Sequence, residues 1–483
     1  MTFTQLLAML GSPAADIGVS ADSRRIRSGD VFVAVPGVHV DGHNFIPQAV
    51  KNGAAYIVCQ KAVDCRPAQM ILANRCAYAL GLLAQAAQGN PSTQLTNLAV
   101  TGTNGKTTVS YLTRSVIENA GLEAGLVGTI ILSAGRAVQE AAMTTPDAVT
   151  IAKAARQMVA DGAKFMVIEA SSHALDQDRL AGISFTAAAF TNLTGDHLDY
   201  HKTMDDYLAA KTKLFLDLPP HAIAVLNAQS EASEKIAEKC RVRVLRYAVD
   251  EPTDITAHVQ SMDAAGSVFS IEFNNYMEKV RTPLPGRHNI SNHLAAAGLC
   301  LAAGFDLGMV AKGLSALKTV PGRLEPVICP AGQKAGIGVF VDYAHTDDAL
   351  LNVLNTLKPL CKGRLITVFG CGGDRDKTKR PRMAAVAERL SDSVIVTSDN
   401  PRTEDPQQII ADILAGFSDA ARRQKIHVDA DRKKAIGLAI STAKRDDIVL
   451  IAGKGHETYQ IIGTTKTHFS DQEIAKELME AIL

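Results

Sequence analysis

Apolar and polar positions along the chain sort into three stretches. Up to about residue 90, short apolar runs such as Asp30-Val-Phe-Val-Ala-Val-Pro36 and Ala54-Ala-Tyr-Ile-Val-Cys59 alternate with turn-rich segments. Their length and β-branched content predict short strands. The polar break Gln88-Gly-Asn-Pro-Ser-Thr93 reads as a linker. Beyond it, strand-like runs alternate with helical patterns: Leu98-Ala-Val-Thr101, Phe165-Met-Val-Ile-Glu169, Ala187-Ala-Ala-Phe-Thr-Asn192 and Ala222-Ile-Ala-Val-Leu-Asn227. That alternation predicts a mostly parallel sheet covered by helices. A second break falls at Val320-Pro-Gly-Arg-Leu-Glu325, after which the pattern restarts with Gly338-Val-Phe-Val-Asp342, Arg364-Leu-Ile-Thr-Val-Phe369, Ser393-Val-Ile-Val-Thr397 and Ile448-Val-Leu-Ile-Ala452. The expected fold is therefore α/β in three domains. A smaller N-terminal α/β domain covers 1–90, a central P-loop parallel-sheet domain 91–325, and a Rossmann-like C-terminal domain 326–483.

Composition narrows the field of functions. A chain of 483 residues exceeds one ordinary core and suits about three domains. Lysine plus arginine equals aspartate plus glutamate at 50 each, which argues against a nucleic-acid binder built on clustered positive charge. The eight cysteines are scattered without a C-x-x-C pair, so buried reduced thiols are expected rather than zinc ligands or disulfides. The start, Met1-Thr-Phe-Thr-Gln-Leu-Leu7, lacks a basic region followed by an apolar stretch, and no apolar run is long enough to span a bilayer. A cytoplasmic protein without membrane insertion is expected.

Chemistry enters where the strand run ending at Thr101 meets Gly102-Thr-Asn-Gly-Lys-Thr-Thr108 and a helical pattern follows, Val109-Ser-Tyr-Leu-Thr-Arg-Ser-Val-Ile117. Strand, glycine loop, lysine, hydroxyl and helix is the order a phosphate cradle requires. Glycines let backbone amides approach phosphate oxygens, and the helix N-terminus adds its positive dipole. Gly102, Thr103, Asn104, Gly105, Lys106, Thr107 and Thr108 are thus candidate ATP-binding residues. Lys106 would reach the β- and γ-phosphates and Thr107 would offer its hydroxyl to Mg²⁺. Val100 stands where the longer form of this loop has its first glycine. At the ends of two further strand runs lie Glu169-Ala-Ser-Ser-His173 and Asp196-His-Leu-Asp-Tyr-His201. Ligands of parallel sheets bind at such carboxyl ends.

These motifs, with Gly286-Arg-His-Asn-Ile-Ser-Asn292, Val320-Pro-Gly-Arg-Leu-Glu325 and Val341-Asp-Tyr-Ala-His-Thr346, resemble those of the Mur ligase family, the ATP-dependent amide-forming enzymes of peptidoglycan synthesis. The resemblance runs from Asp22-Ser-Arg24 to Gly453-Lys-Gly-His-Glu457. It implies that a substrate carboxylate attacks the γ-phosphate of ATP and that an amine then displaces phosphate from the acyl phosphate. It also implies that Thr107 and Glu169 hold one Mg²⁺, and that Glu169 and His197 help hold a second. Lys211 matches the family lysine that CO₂ converts to a carbamate supporting that second metal. Asn292, Arg323 and Asp342 match nucleotide-contacting positions, while Lys106, Glu169, His197 and Lys211 carry the catalytic roles.

The resemblance extends to the substrates. Asp399, Asn400, Pro401 and Arg402 look like the signature of members that add meso-diaminopimelate, and Arg402 offers a bidentate fork for its second carboxylate. Arg375, Gly453 and Glu457 match the other positions holding that amino acid. Ala21, Ser23, Val38, His39 and Val40 match contacts to the uridine of UDP-N-acetylmuramoyl-L-alanyl-D-glutamate. Thr144, Thr145, Ser171, Gln177 and Arg179 match contacts to its sugar and dipeptide. Met143, where relatives often carry asparagine, and Gly195, where a larger residue is frequent, depart from the family pattern. The expected enzyme is a monomer. A related ligase adding another residue such as lysine, or of the folylpolyglutamate type, is the alternative within the superfamily. A P-loop NTPase switch is the alternative outside it.

Overall fold

The computed structural model describes residues 1–12, 16–37 and 40–483. The chain divides into two compact units. The first comprises residues 1–257, 271–278 and 291–316, and the second 258–270, 279–290 and 317–483.

The first unit holds a four-stranded parallel sheet in chain order, Val19–Ser20, Val31–Val33, Tyr56–Cys59 and Gln69–Leu72. The strand runs expected near residues 30 and 54 are therefore present, shortened at their ends. Its larger sheet is built around Thr96–Thr101, flanked by Ala187–Phe190 on one side and Phe165–Glu169 on the other, all parallel. Ile223–Asn227 and Arg243–Val249 follow beyond Ala187–Phe190, and Ala124–Val127 lies beyond Phe165–Glu169. These strands read as unbroken apolar runs because helices cover both faces, and Leu98, Ala99 and Val100 are wholly buried. The strands Ile131–Ala134 and Ala137–Glu140 add an antiparallel edge that the mostly parallel expectation had not included. Ile255–Asp263, Gly266–Phe273 and Tyr276–Thr282, joined by tight turns and falling partly among the residues of the second unit, bring this sheet to eleven strands.

Register is what places the chemistry. Val100 pairs with Glu169 and Thr101 with Phe190, so the loops after these three strands emerge side by side. The helix Lys106–Asn119 starts from the glycine loop and buries Val109, Leu112, Val116 and Ile117. Their three- and four-residue spacing forms one apolar face, each such side chain adding about 1.5–3 kcal/mol of burial.

The second unit contains a six-stranded sheet. Gly338–Asp342, Ile448–Ala452, Leu365–Phe369, Ser393–Val396 and Ile426–Val428 run parallel in that order, with Glu325–Pro326 antiparallel at the Gly338–Asp342 edge. All four strand runs expected in this region form, with bounds shifted by at most one residue. Tyr459–Ile462 and Thr465–His468 make a separate hairpin. All eight cysteines are free, six of them buried, with Cys240 and Cys361 partly exposed. Among the described residues no helix is long and apolar enough to cross a membrane.

Candidate functional site

In the first unit the site grows out of the glycine loop. Gly105 has φ +89°, and a Cβ there would collide with Asn292 Oδ1, so this position accepts only glycine and brings Asn292 against the loop. The loop is tied to the next strand end: Thr103 N donates to Asn192 O (2.9 Å), Asn104 N to Asn192 Oδ1 (2.9 Å) and Thr191 Oγ1 to Asn104 O (2.6 Å). Lys106 Nζ donates to Gly102 O and Thr103 O, both at 2.8 Å, and so folds back over the loop it would serve. Thr107 and Thr108 are buried in the first turn.

Glu169 is wholly buried, and its carboxylate collects three donors. Thr107 Oγ1 and Thr129 Oγ1 reach Oε2 at 2.9 Å, and Thr129 N reaches Oε1 at 2.9 Å. The expected pairing of Thr107 with Glu169 is thus present. Thr129 is an addition for which the sequence offers no signal, since it lies in the turn between Ala124–Val127 and Ile131–Ala134.

Lys211 sits on the helix Met204–Leu216, started by the Thr203 side chain capping Asp206 N and by Asp205 and Asp206 in the first turn. The i, i+4 spacing sets Lys211 Nζ 4.3 Å above the Tyr207 ring. A solvated helical lysine would be the ordinary outcome, but Lys211 is 1% exposed and donates to Gly102 O at 2.8 Å. Burial, then the nearby Lys106 charge, holds its pKa well below the usual lysine range against a smaller opposing pull from Asp196. His197 adopts φ +54° and lies 3.4 Å from Asp196 Oδ2. Burial lowers its pKa to about 4, with His173, Lys106 and Lys211 adding to the effect and Asp196 opposing it. The rings of His173, His197, Tyr200, His201 and Tyr207 form a continuous aromatic group, with His173 and His197 centroids 4.9 Å apart. His173 is thus a packing residue of this group.

Thr144, Thr145, Ser171, Gln177 and Arg179 form one hydrogen-bonded chain running from Glu169. Thr145 Oγ1 donates to Glu169 O (2.6 Å) and Ser171 Oγ (3.1 Å), and Thr144 Oγ1 meets Thr129 Oγ1 at 3.1 Å. Arg179 Nη1 donates to Thr145 O and Nη2 to Gln177 Oε1, both at 2.7 Å. A cleft of about 860 Å³ is lined by Gln177, Arg179, Met143, Ala21, Pro36 and Tyr200, among others. Ala21 therefore shares a cavity with the dipeptide positions, whereas Ser23 is buried and Val40 is exposed on its loop. Val38 and His39 lie outside the described residues. Tyr200, which bridges Gln177 Nε2 (3.3 Å) and Asp176 Oδ2 (3.0 Å), belongs to the same wall and was not expected there.

In the second unit, four neighbouring strands present their carboxyl ends together. Asp342, buried, accepts Leu324 N (2.6 Å) and Ala344 N (2.8 Å). Burial raises its pKa, against the opposing Arg323 charge and those two amides. Arg323 lies 5.0 Å above the Tyr343 ring. Asp399, Asn400 and Pro401 are buried beyond Ser393–Val396, and Gly453 (φ +118°) leaves no room for a Cβ beside Asp399 Oδ2. Asn400 Nδ2 donates to Glu457 Oε2 at 2.8 Å, which brings the two expected segments together. Arg402 donates to Gly373 O at 2.7 Å, and Thr403 Oγ1 to Asp374 Oδ1 at 2.8 Å. The loop carrying Arg375 is thereby docked against the 399–402 turn. Arg375 itself is exposed, with Nη1 on Asp374 O at 2.9 Å.

Two features of this unit were missed. Arg432 and Asp471 form a bidentate ion pair at 2.7 Å with both side chains 0% exposed, and a cation on an ordinary helical face gives no sign of it. Lys454, also 0% exposed, lies between Asn400 and Glu457. Its place inside Gly453-Lys-Gly-His-Glu457 was the available signal.

Comparison with known proteins decides the family. Residues 17–88 match the catalytic domain of the Mur ligase family, 100–300 the Mur ligase middle domain, and 322–455 the Mur ligase glutamate ligase domain. The chain belongs to the Mur ligase family. Among its relatives, a UDP-N-acetylmuramoyl-L-alanyl-D-glutamate--2,6-diaminopimelate ligase of Bacillus licheniformis is 42% identical over 99% of both chains. The protein of that name from Clostridium botulinum is 40% identical over 96% of this chain and 95% of its own. A solved structure of a ligase with that name superposes with a TM-score of 0.68 at 33% identity, covering 96% of this chain and 94% of the other. Mur ligases are ATP-dependent, which agrees with a glycine loop built for phosphate.

Proposed function

We propose that this Mur ligase joins meso-2,6-diaminopimelate to UDP-N-acetylmuramoyl-L-alanyl-D-glutamate at the expense of ATP, in cytoplasmic peptidoglycan synthesis. The observation that carries the reading is the turn Asp399-Asn-Pro-Arg402 held against Glu457 and Gly453, from strand ends on either side of Leu365–Phe369. A carboxylate, a guanidinium and their polar neighbours in one place suit an amino acid bearing both charges at its far end. Three functional domains, 1–90 for the uridine substrate, 91–325 for ATP and ligation, and 326–483 for the amino acid, fit this division of labour.

The donor set in the first unit suits Mg²⁺. The hydroxyl of Thr107 and the carboxylate of Glu169 are hard oxygen ligands held at hydrogen-bond distance. When bound, the ion neutralises charge on the nucleotide phosphates. His197 and a carbamylated Lys211 would complete a second such site. The lowered pKa of Lys211 favours its neutral amine, the form that reacts with CO₂. That amine adds to CO₂, releases a proton and becomes an anionic oxygen donor.

The chain's own groups then do the positioning. Loop amides and Lys106 gather the phosphates, with Asn292, Arg323 and Asp342 contributing to the nucleotide. Arg179, Gln177, Ser171, Thr144 and Thr145 orient the dipeptide so that its carboxylate meets the γ-phosphate, giving an acyl phosphate and ADP. Ser23, Ala21 and the 38–40 segment take the uridine. Arg375, Asp399, Asn400, Pro401, Arg402, Gly453 and Glu457 hold diaminopimelate, whose amine displaces phosphate to form the amide.

The test is the intact mass of the product made from ATP, the uridine-linked dipeptide and an equimolar mixture of diaminopimelate, lysine and alanine. The diaminopimelate adduct is expected. A lysine adduct in excess would overturn the assignment, and ATP turnover indifferent to any amino acid would point to an NTPase.

A further inference from the structure

The buried lysine of the second unit has no part in the scheme above, yet its surroundings are specific. Lys454 Nζ is 3.2 Å from Asn400 Oδ1 and 3.3 Å from Glu457 Oε2, with the Tyr459 ring 5.5 Å away. Asn400 closes the triangle, its Nδ2 on Glu457 Oε2 at 2.8 Å and its Oδ1 also accepting Ile461 N at 3.0 Å. All described hydrogen bonds of the Glu457 carboxylate fall on Oε2. One oxygen is anchored, and Oε1 is left for something else.

The base of the same pair of segments is fixed by Arg432, which donates to Ser398 O (3.3 Å) and Ala452 O (3.0 Å) while paired with Asp471. Those carbonyls immediately precede Asp399 and Gly453. The roots of the two segments are therefore held by Arg432 and their tips by Lys454.

We propose that Lys454 is a positioning residue for the acceptor amino acid, one that locks Asn400 and Glu457 into a single unit and keeps the free oxygen of Glu457 charged and aimed at an ammonium group of the acceptor. This rests on the reading of residues 399–402 and 457 as the acceptor site. The chemistry follows from the neighbours. Glu457 faces Asp399 from the 399–402 turn and Tyr343 from the segment after Gly338–Asp342, with the Arg432–Asp471 pair behind them. Burial raises its pKa and Asp399 adds to that, while Lys454 opposes it. Without the Lys454 ammonium the carboxylate is buried beside another acid with much of its compensation gone, and it takes up a proton at higher pH. A protonated Glu457 offers an ammonium no counter-charge.

The test uses the full-length enzyme with Lys454→Met, near in shape and uncharged. The expected result is a rise of about tenfold or more in KM for diaminopimelate, with KM for ATP and for the uridine-linked dipeptide within about twofold. The acidic limb of kcat/KM for the amino acid should move to higher pH, and Lys454→Arg should restore part of the loss. In a Glu457→Gln background, Lys454→Met should add nothing further, because the effect passes through that carboxylate. If Lys454→Met does not fold, Lys454→Gln, which keeps a donor for Asn400, is read the same way. Equal rises in all three KM values, or an unmoved pH profile, would assign Lys454 a merely structural role and overturn the proposal. Failure of the wild-type enzyme to use diaminopimelate at all would instead overturn the acceptor assignment beneath it.

Discussion

Two lysines, one in each unit, are buried to the same degree at the carboxyl end of a parallel sheet and are treated in opposite ways. Lys211, 1% exposed, donates to the carbonyl of Gly102 and has Lys106 as a charged neighbour. Lys454, 0% exposed, is 3.3 Å from the carboxylate of Glu457. Burial disfavours an ammonium in both places. A hydrogen-bonded carboxylate compensates it in one, while in the other a carbonyl, an aromatic face and a weaker pull from Asp196 offset it less, against a second cation. The lesson is that burial alone does not assign a lysine its chemistry. The first lies against a carbonyl and near a second cation, the second against a carboxylate.

The largest effect is expected at Lys106, whose Nζ folds onto the loop carbonyls. Lys106→Ala should lower ATP turnover by about 10³-fold or more, as loss of a phosphate-neutralising group does. Turnover within tenfold of wild type, in a single-turnover assay, would remove the phosphate role. Next, Lys211→Ala should cost about 10²–10³-fold in ligation, and millimolar acetate or formate should recover part of it by supplying the missing oxygen donor. Wild-type rates in that variant would end the carbamate assignment.

Stability tests the burial of Lys211 without reference to activity. Lys211 has a folded-state pKa below its unfolded value of about 10.4. Between the two pKa values the unfolded chain binds a proton the folded chain lacks, so the penalty is full below the folded value and fades as pH rises towards the unfolded one. In CO₂-free buffer, Lys211→Met should raise Tm, and more so at pH 7 than at pH 10. A Tm that falls, or that rises equally at both values, contradicts the depressed pKa. The fully buried pair Arg432–Asp471 should behave in the reverse manner. Asp471→Asn leaves the guanidinium uncompensated and should cost about 3–5 kcal/mol by denaturant titration, whereas replacing both partners by apolar residues should recover most of that. The smallest change is expected for Arg402→Lys. Preference for diaminopimelate over lysine should fall by about tenfold, because a point charge cannot reproduce a bidentate fork. An unaltered ratio of kcat/KM values would dissociate Arg402 from acceptor choice.

Much of this was legible beforehand because the periodic signal was strong. Unbroken apolar runs such as Phe165–Glu169, Gly338–Asp342 and Ile448–Ala452 became strands with the bounds read from the chain. The edge hairpin Ile131–Ala134 and Ala137–Glu140 was not legible, since Ala137–Glu140 is exposed along its whole length and carries no apolar alternation. Within the site, Glu169, Lys211 and residues 399–402 were found through motif resemblance. Thr129, Tyr200, Arg432 and Asp471 were not, because each acts through partners distant in the chain.

By itself, then, the sequence determined the α/β class, the glycine loop between strand and helix, and the family to which the chain belongs. Those are properties of local spacing and of residue order. Tertiary structure alone decided which polar groups meet: that Glu169 is shared by Thr107 and Thr129, that Lys211 meets Gly102 O 109 residues away, and that Lys454 joins Asn400 to Glu457. Charge state follows from those neighbours and from the exclusion of water. Both come into being only when strand register brings distant loops to one edge of a sheet.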